Sequence, residues 1–139
     1  MFSASATNQI TERKVVGHTI LATEATTSTT YANLTTAGPI CRVETGTKAL
    51  VWFGAWGRSS ITTASHWASV EVQGETYISP DDTWSLKWDG IYGGEYASRF
   101  KSYMFDVNPG VNYFIMKYRR DPSNVTGTYK NREMVVLPL

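Results

Sequence analysis

The chain has 139 residues, 42% of them hydrophobic and 13% aromatic, which suits a single domain without disulfide or metal staples and is too apolar for an intrinsically disordered protein. Thirteen basic against twelve acidic residues leave a net charge of +1, so no global field draws in nucleic acid or acidic polymers and any basic function is local. Cys41 is the only cysteine, which excludes an internal disulfide and a multi-cysteine metal site.

Residues 1–13 are small and polar, with no apolar period before Val15. They read as an arm, either without structure of its own or ordered against a neighbouring subunit, and residues 14–139 as one β-sandwich domain. The segment lacks a basic start followed by an apolar core, and no apolar run is long enough for a bilayer; the expectation is a soluble chain without a cleaved signal and no membrane partner. From Val15 onward glycine and proline recur at short intervals, and the apolar runs between them favour Val, Ile, Thr, Tyr, Phe and Trp, the residues of a pleated surface.

In chain order the expected strands are Val15 to Ala22, Ser28 to Asn33, Pro39 to Thr45, Lys48 to Ala55, Ser65 to Gln73, a short one near Tyr77, Trp84 to Trp88, Arg99 to Val107, Val111 to Arg119, and Tyr129 to Leu137. Ala68, Val70 and Val72 share one face, with Ser69, Glu71 and Gln73 on the other; Met134 and Val136 lie on the face of Arg132. Glu44 to Thr47 and Val107 to Gly110 read as hairpin links, with Pro109-Gly110 suited to the centre of a type II turn. Many short antiparallel strands predict an all-β sandwich, jelly-roll-like, because one open sheet leaves an apolar face bare.

Signals for chemistry are sparse. His18 and His66 are the only histidines, too few for a three-histidine metal site, and neither stands beside a nucleophile in a known motif. Cys41 sits within a strand, where a small buried thiol is the default. No serine occupies a nucleophile elbow and Gly90-Ile-Tyr-Gly-Gly is not a phosphate loop. Asp81-Asp82 falls short of a calcium ligand set and reads as a turn capping its own backbone. No cofactor, no metal and no catalytic residue is expected.

Two clusters remain as candidate sites. Trp84, Trp88, Tyr92 and Tyr96 recur every four residues, and the nearby glycines argue against a helix; the rings either roof the core or form a platform that stacks sugars or a partner's apolar surface. Lys117, Arg119 and Arg120, with Arg132 on the next strand, form a basic end. If Arg119 and Arg132 are cross-strand neighbours they repel unless a carboxylate or a partner intervenes, which makes the four a candidate subunit interface. Nucleic-acid binding lacks both a net basic balance and a motif.

The segments TTSTTYANLTTAGPICRVETGTKALV, FDVNPGVNYFIMKYRR and NREMVVLPL resemble, in that order, small virion proteins and tail-associated β-domains of bacteriophages infecting actinobacteria. The resemblance spans most of Thr26 to Leu139 and is weakest between Trp52 and Tyr96. It implies a β-sandwich that decorates a capsid or forms part of a tail or fibre as a homo-oligomer, with a trimer favoured, in contact with other virion proteins. It carries no catalytic residues. The PG-x-x-Tyr run also looks like fibronectin type III domains, the runner-up fold. The expected function is therefore a non-enzymatic virion structural protein, made in the host cytoplasm and resident in the virion. The alternative is a carbohydrate or host-surface binding module, and a hydrolase using His66 is a third reading.

Overall fold

The computed structural model describes residues 14–61, 63–90, 95–122 and 125–139; the expected arm and Tyr92 lie outside the described residues. Nine strands follow one another as β1 (Val16–Ile20), β2 (Glu24–Thr26), β3 (Ile40–Thr45), β4 (Lys48–Ser59), β5 (Ser65–Gly74), β6 (Leu86–Asp89), β7 (Ala97–Asp106), β8 (Gly110–Arg120) and β9 (Gly127–Pro138). One sheet runs β1-β9-β4-β7, with β2 also on β9, and the other runs β3-β8-β5-β6. Every pairing is antiparallel.

The pairs are nested. β5 meets β6, β4 meets β7, β3 meets β8 and β1 meets β9, so the chain is one long antiparallel ribbon whose successive segments alternate between two sheets. That is the jelly roll, a closed way to bury one face of each sheet. The order differs from the ABED/CFG arrangement of immunoglobulin-like sandwiches, which sets aside the fibronectin-like alternative.

Nesting corrects the two expected hairpins. β3 and β4 lie in different sheets, as do β7 and β8, so the links Gly46–Thr47 and Val107–Pro109 are corners where the ribbon folds over. Thr45 is opposite Gly110 before the corner and Lys48 opposite Asp106 after it, and Val107 N donates to Thr47 O at 2.9 Å between the two links. Short turn-rich links look the same in sequence whether strands pair or part.

Strand periodicity places the core. Ala49, Val51, Phe53 and Ala55 of β4, with Met134 and Val136 beside them on β9, face Ala68, Val70 and Val72 of β5 and Phe114, Met116 and Tyr118 of β8, all fully buried. Each large side chain buried this way contributes about 1.5–3 kcal/mol. Ser69 and Glu71, expected on a wet face, are buried as well, because the segment after β5 folds back against them: Ser69 Oγ donates to Asp81 O at 2.7 Å.

Two expected strands, Ser28 to Asn33 and the short one near Tyr77, are not strands; near Tyr77 only the isolated Val72–Ile78 bridge forms, while the expected Trp84 to Trp88 strand begins two residues later, at Leu86. Over Ser28 to Asn33 the hydroxyls bond locally, with Ser28 N donating to Thr26 Oγ1 at 3.1 Å and Ser28 Oγ to Thr30 O at 2.7 Å, the competition that small hydroxyl residues offer a ladder. Only the isolated Ala32–Tyr118 bridge remains there. At Trp84 a 3-10 turn, Asp82–Trp84, precedes β6, and Asp81 caps it by accepting from Thr83 N at 2.8 Å, the self-capping turn that the two aspartates predict.

Candidate functional site

The basic residues divide between two sheets and are matched within the chain. Arg119, on the outer face of β8, lies opposite Trp67 of β5; its guanidinium carbon is 3.7 Å from the indole centroid. Its Nε and Nη2 reach the two oxygens of Asp82 at 3.2 and 2.6 Å, and Tyr31 donates to the same carboxylate at 2.6 Å. The bonds from Arg119, helped by Tyr31, hold the Asp82 carboxyl below its ordinary range against the effect of burial. Lys87 stands over the same indole at 5.7 Å, so Trp67 lies between two cations. Lys117 is 3.8 Å from Glu71, and Arg120 Nε donates to Thr27 O at 2.6 Å.

Arg132 requires a correction. It belongs to β9 in the other sheet, is 0% exposed, and cannot be a cross-strand neighbour of Arg119 or touch a partner. The cause is a β-bulge: Gly54 faces Glu133 while Trp56 faces Lys130, so Asn131 and Arg132 together oppose Ala55. Asn131 takes φ +49, a conformation asparagine tolerates better than most residues. The extra residue switches the inward set of β9 from Gly127 and Tyr129 to Arg132, Met134 and Val136.

The aromatic cluster is also dispersed. Trp84 is half-buried, donates to Val70 O at 2.9 Å and sits 5.4 Å from Tyr103 and 5.5 Å from Phe105. Trp88 is fully buried, stacked on His66 at 5.3 Å and bonded to Ala97 O at 2.8 Å; it has no face for a ligand and belongs to the core. Tyr96 packs under Arg58 and Lys130 at 5.0 and 4.1 Å. A turn followed by a strand sends residues of four-residue spacing to different places, so among the described residues no ring contact joins Trp84, Trp88 and Tyr96.

His66 is enclosed by Trp88 and Tyr129. Tyr129 Oη donates to Trp67 O at 2.8 Å, so the 2.9 Å contact with His66 Nδ1 is a donation from the imidazole, leaving Nε2 buried with no partner. Burial pushes its pKa down to about 4. No serine hydroxyl or carboxylate bonds the ring among the described residues. Cys41 is buried and its thiol is pushed up to about 11 by burial.

The feature that the sequence did not single out is the outer face of the β1-β9-β4-β7 sheet. Trp52 and Trp56 of β4, Phe100 and Met104 of β7, and Val135 and Leu137 of β9 are each 37–42% exposed. In register, Leu50 lies between Met104 and Leu137, and Trp52 between Ser102 and Val135. Trp52 and Phe100 stack at 4.8 Å with planes 13° apart. Phe100 lies across Gly54, where a Cβ would run into its ring. The rim is charged: the Lys48–Asp106 pair at one end and Lys130 over Trp56 at the other. The signal was KALVWFGAW, a strand apolar on both faces, which implies cover on both.

With the sheets and this face described, comparison with known proteins gives a fold. No family model matches the sequence, and no curated protein matches it. Among solved structures it is similar to the VP2 subviral particle of infectious bursal disease virus, with TM-score 0.61, 9% identity, and coverage of 88% of this chain and 32% of that one. It is also similar to the structure of the Gx strain of that virus, with TM-score 0.54, 9% identity, and coverage of 88% and 35%. The chain spans about a third of the length of these chains, and identity this low reports fold alone. The protein is an antiparallel β-sandwich with a jelly-roll fold similar to that of the VP2 chain. Among the described residues no helix is long and apolar enough to cross a membrane.

Proposed function

We propose that the protein is a non-enzymatic structural component of a virus particle, resident in the virion and assembling with its own copies and with neighbouring virion proteins. The observation that carries this reading is the exposed apolar face around Trp52 and Phe100, on a jelly roll similar to capsid protein folds. Soluble monomers rarely expose a contiguous apolar surface of more than a few hundred Å². The finer assignment, a capsid-decorating or tail-associated protein of an actinobacterial phage that favours a trimer, is supported by the sequence resemblance.

Light scattering across micromolar concentrations, with uptake into particles, tests the proposal. Self-association is expected, and Trp52→Ser or Phe100→Ser should each weaken it about tenfold or more, as truncation of an anchoring aromatic does. A monodisperse monomer that no particle takes up overturns it. A glycan-binding role would have to use exposed rings such as Trp56 in place of Trp88. Glycan-array binding lost in a folded Trp56→Ala variant would put that role in its place.

A further inference from the structure

β7 is the free edge of the sheet that carries the apolar face. It runs ten residues, Ala97–Asp106, contains no proline, and pairs with β4 without a register shift. Among the described residues no other backbone segment bonds to its outward edge; Trp88 Nε1 of β6 donates to Ala97 O, and the Lys101 side chain of β7 itself donates to Thr83 O in the 3-10 turn. A long regular edge of this kind is a template for another strand unless it is blunted.

Its side chains are self-complementary in one register. We propose that β7 pairs antiparallel with β7 of a second copy of this chain, about a two-fold axis normal to the sheet at Ser102. Phe100 then faces Met104 of the second copy, twice, extending the apolar face across the pair. Lys101 faces Tyr103 of the second copy, where a cation and a ring attract, and Ser98 faces Asp106. Sliding the partner by two residues one way sets Lys101 against Lys101, a like-charge pair that destabilises; sliding it the other way sets Phe100 against Asp106. An odd slip puts the outer face of one copy beside the inner face of the other.

The contact is isologous, so each edge is used up in the pair and growth stops at two copies there. The combined sheet runs β1-β9-β4-β7 into the same strands of the second copy in reverse, with the apolar face continuous and open to higher-order contacts. This inference rests on the assembly reading and deepens it by naming the occupant and the register.

Thiol cross-linking of the full chain tests it, because the native Cys41 is buried and poorly ionised, with its thiol near 11. Ser102 is exposed, so Ser102→Cys should fold. In the proposed register its two copies stand opposite each other, at about 5 Å between Cβ atoms, and should be joined by a short bis-maleimide in high yield. Ser98→Cys places its two copies about 26 Å apart, eight residues along the strand, and should stay unlinked. If the wild type self-associates while Ser102→Cys links no better than Ser98→Cys, the edge pairing is wrong and the assembly reading stands. A wild type that stays monomeric, with neither variant linked, overturns both.

Discussion

Arg132 and Glu24 meet at 2.6 Å in a place where the arginine side chain has no contact with water. Arg132 Nη1 donates to Gly38 O at 2.8 Å and to Thr36 O at 3.2 Å, and Glu24 accepts from Thr36 N and Oγ1 at 2.9 and 2.6 Å. Burial alone would raise the Glu24 carboxyl; the bonds from Thr36 and the charge of Arg132 outweigh it and hold the group below its ordinary range. One cation thus fastens the link after β2 to β9. Arg132→Ala leaves the Glu24 carboxylate without its cation and Thr36 O without its donor, while Gly38 O keeps the Tyr118 hydroxyl at 2.8 Å; the loss should cost about 3–5 kcal/mol. The pair Arg132→Met with Glu24→Gln should recover a large part of that. Urea midpoints check both, and a loss under about 1 kcal/mol in the single variant would mean that the clamp contributes little.

Phe100 lies across Gly54, and its ring is what a Cβ there would meet first. Gly54→Ala must push that ring aside, and since Phe100 is 38% exposed it can swing outward. The expected stability loss is therefore modest, about 1–2 kcal/mol, while the stack on Trp52 is lost. Tryptophan fluorescence should change and self-association should weaken. Unchanged fluorescence would show that the ring keeps its place.

The all-β class, the strand positions of the core and the shared face of Arg132, Met134 and Val136 were legible in the sequence because period-two alternation is a local signal. Pairing was not. Gly46 and Pro109-Gly110 mark short links, yet nothing local says whether the strands on either side meet or separate into two sheets. The dispersal of Trp84 and Trp88 depended on a 3-10 turn of three residues, Asp82–Trp84, too short to leave a period. Arg132 looked like a surface residue because the bulge at Asn131 and the carbonyls that receive it come from parts of the chain distant in sequence. The apolar outer face was visible in KALVWFGAW, but an apolar run reads first as core.

Arg119 is bound to Asp82 within its own subunit, so its removal should be read in stability and not in assembly. Arg119→Ala should cost about 1–2 kcal/mol, from the stack on Trp67 and the bidentate pair, with the lower end favoured because Asp82 is 54% exposed and solvent screens the pair. Arg119→Glu sets like charges together and should cost more. Light scattering is expected to show the wild-type oligomer in both. An oligomer that dissociates in folded Arg119→Ala would restore this arginine to the interface that the sequence suggested.

His66 gives the protein a definable acid response. Unfolded, its imidazole titrates near 6.5; in the sandwich burial lowers that to about 4. Above pH 6.5 both states are neutral and the group has no effect. As the pH falls from 6.5 to 4 the unfolded chain takes up a proton that the native state refuses, so stability falls by up to about 3 kcal/mol, and below 4 this group adds nothing more. The carboxylates act in a different window: those of Asp82, Asp81 and Asp89 are depressed in the fold, so their stabilisation is complete above an unfolded value of 3.8 and is lost only at lower pH. His66→Phe keeps a ring between Trp88 and Tyr129, leaves Tyr129 its bond to Trp67 O, and removes the orphaned Nε2. It should stay within about 1 kcal/mol of wild type at pH 7.5 and become the more stable protein by pH 4.5. Urea unfolding from pH 7.5 to 4.5 measures both slopes; a wild-type curve that is flat over that range, or a variant with the same slope, would show that another group sets the acid response.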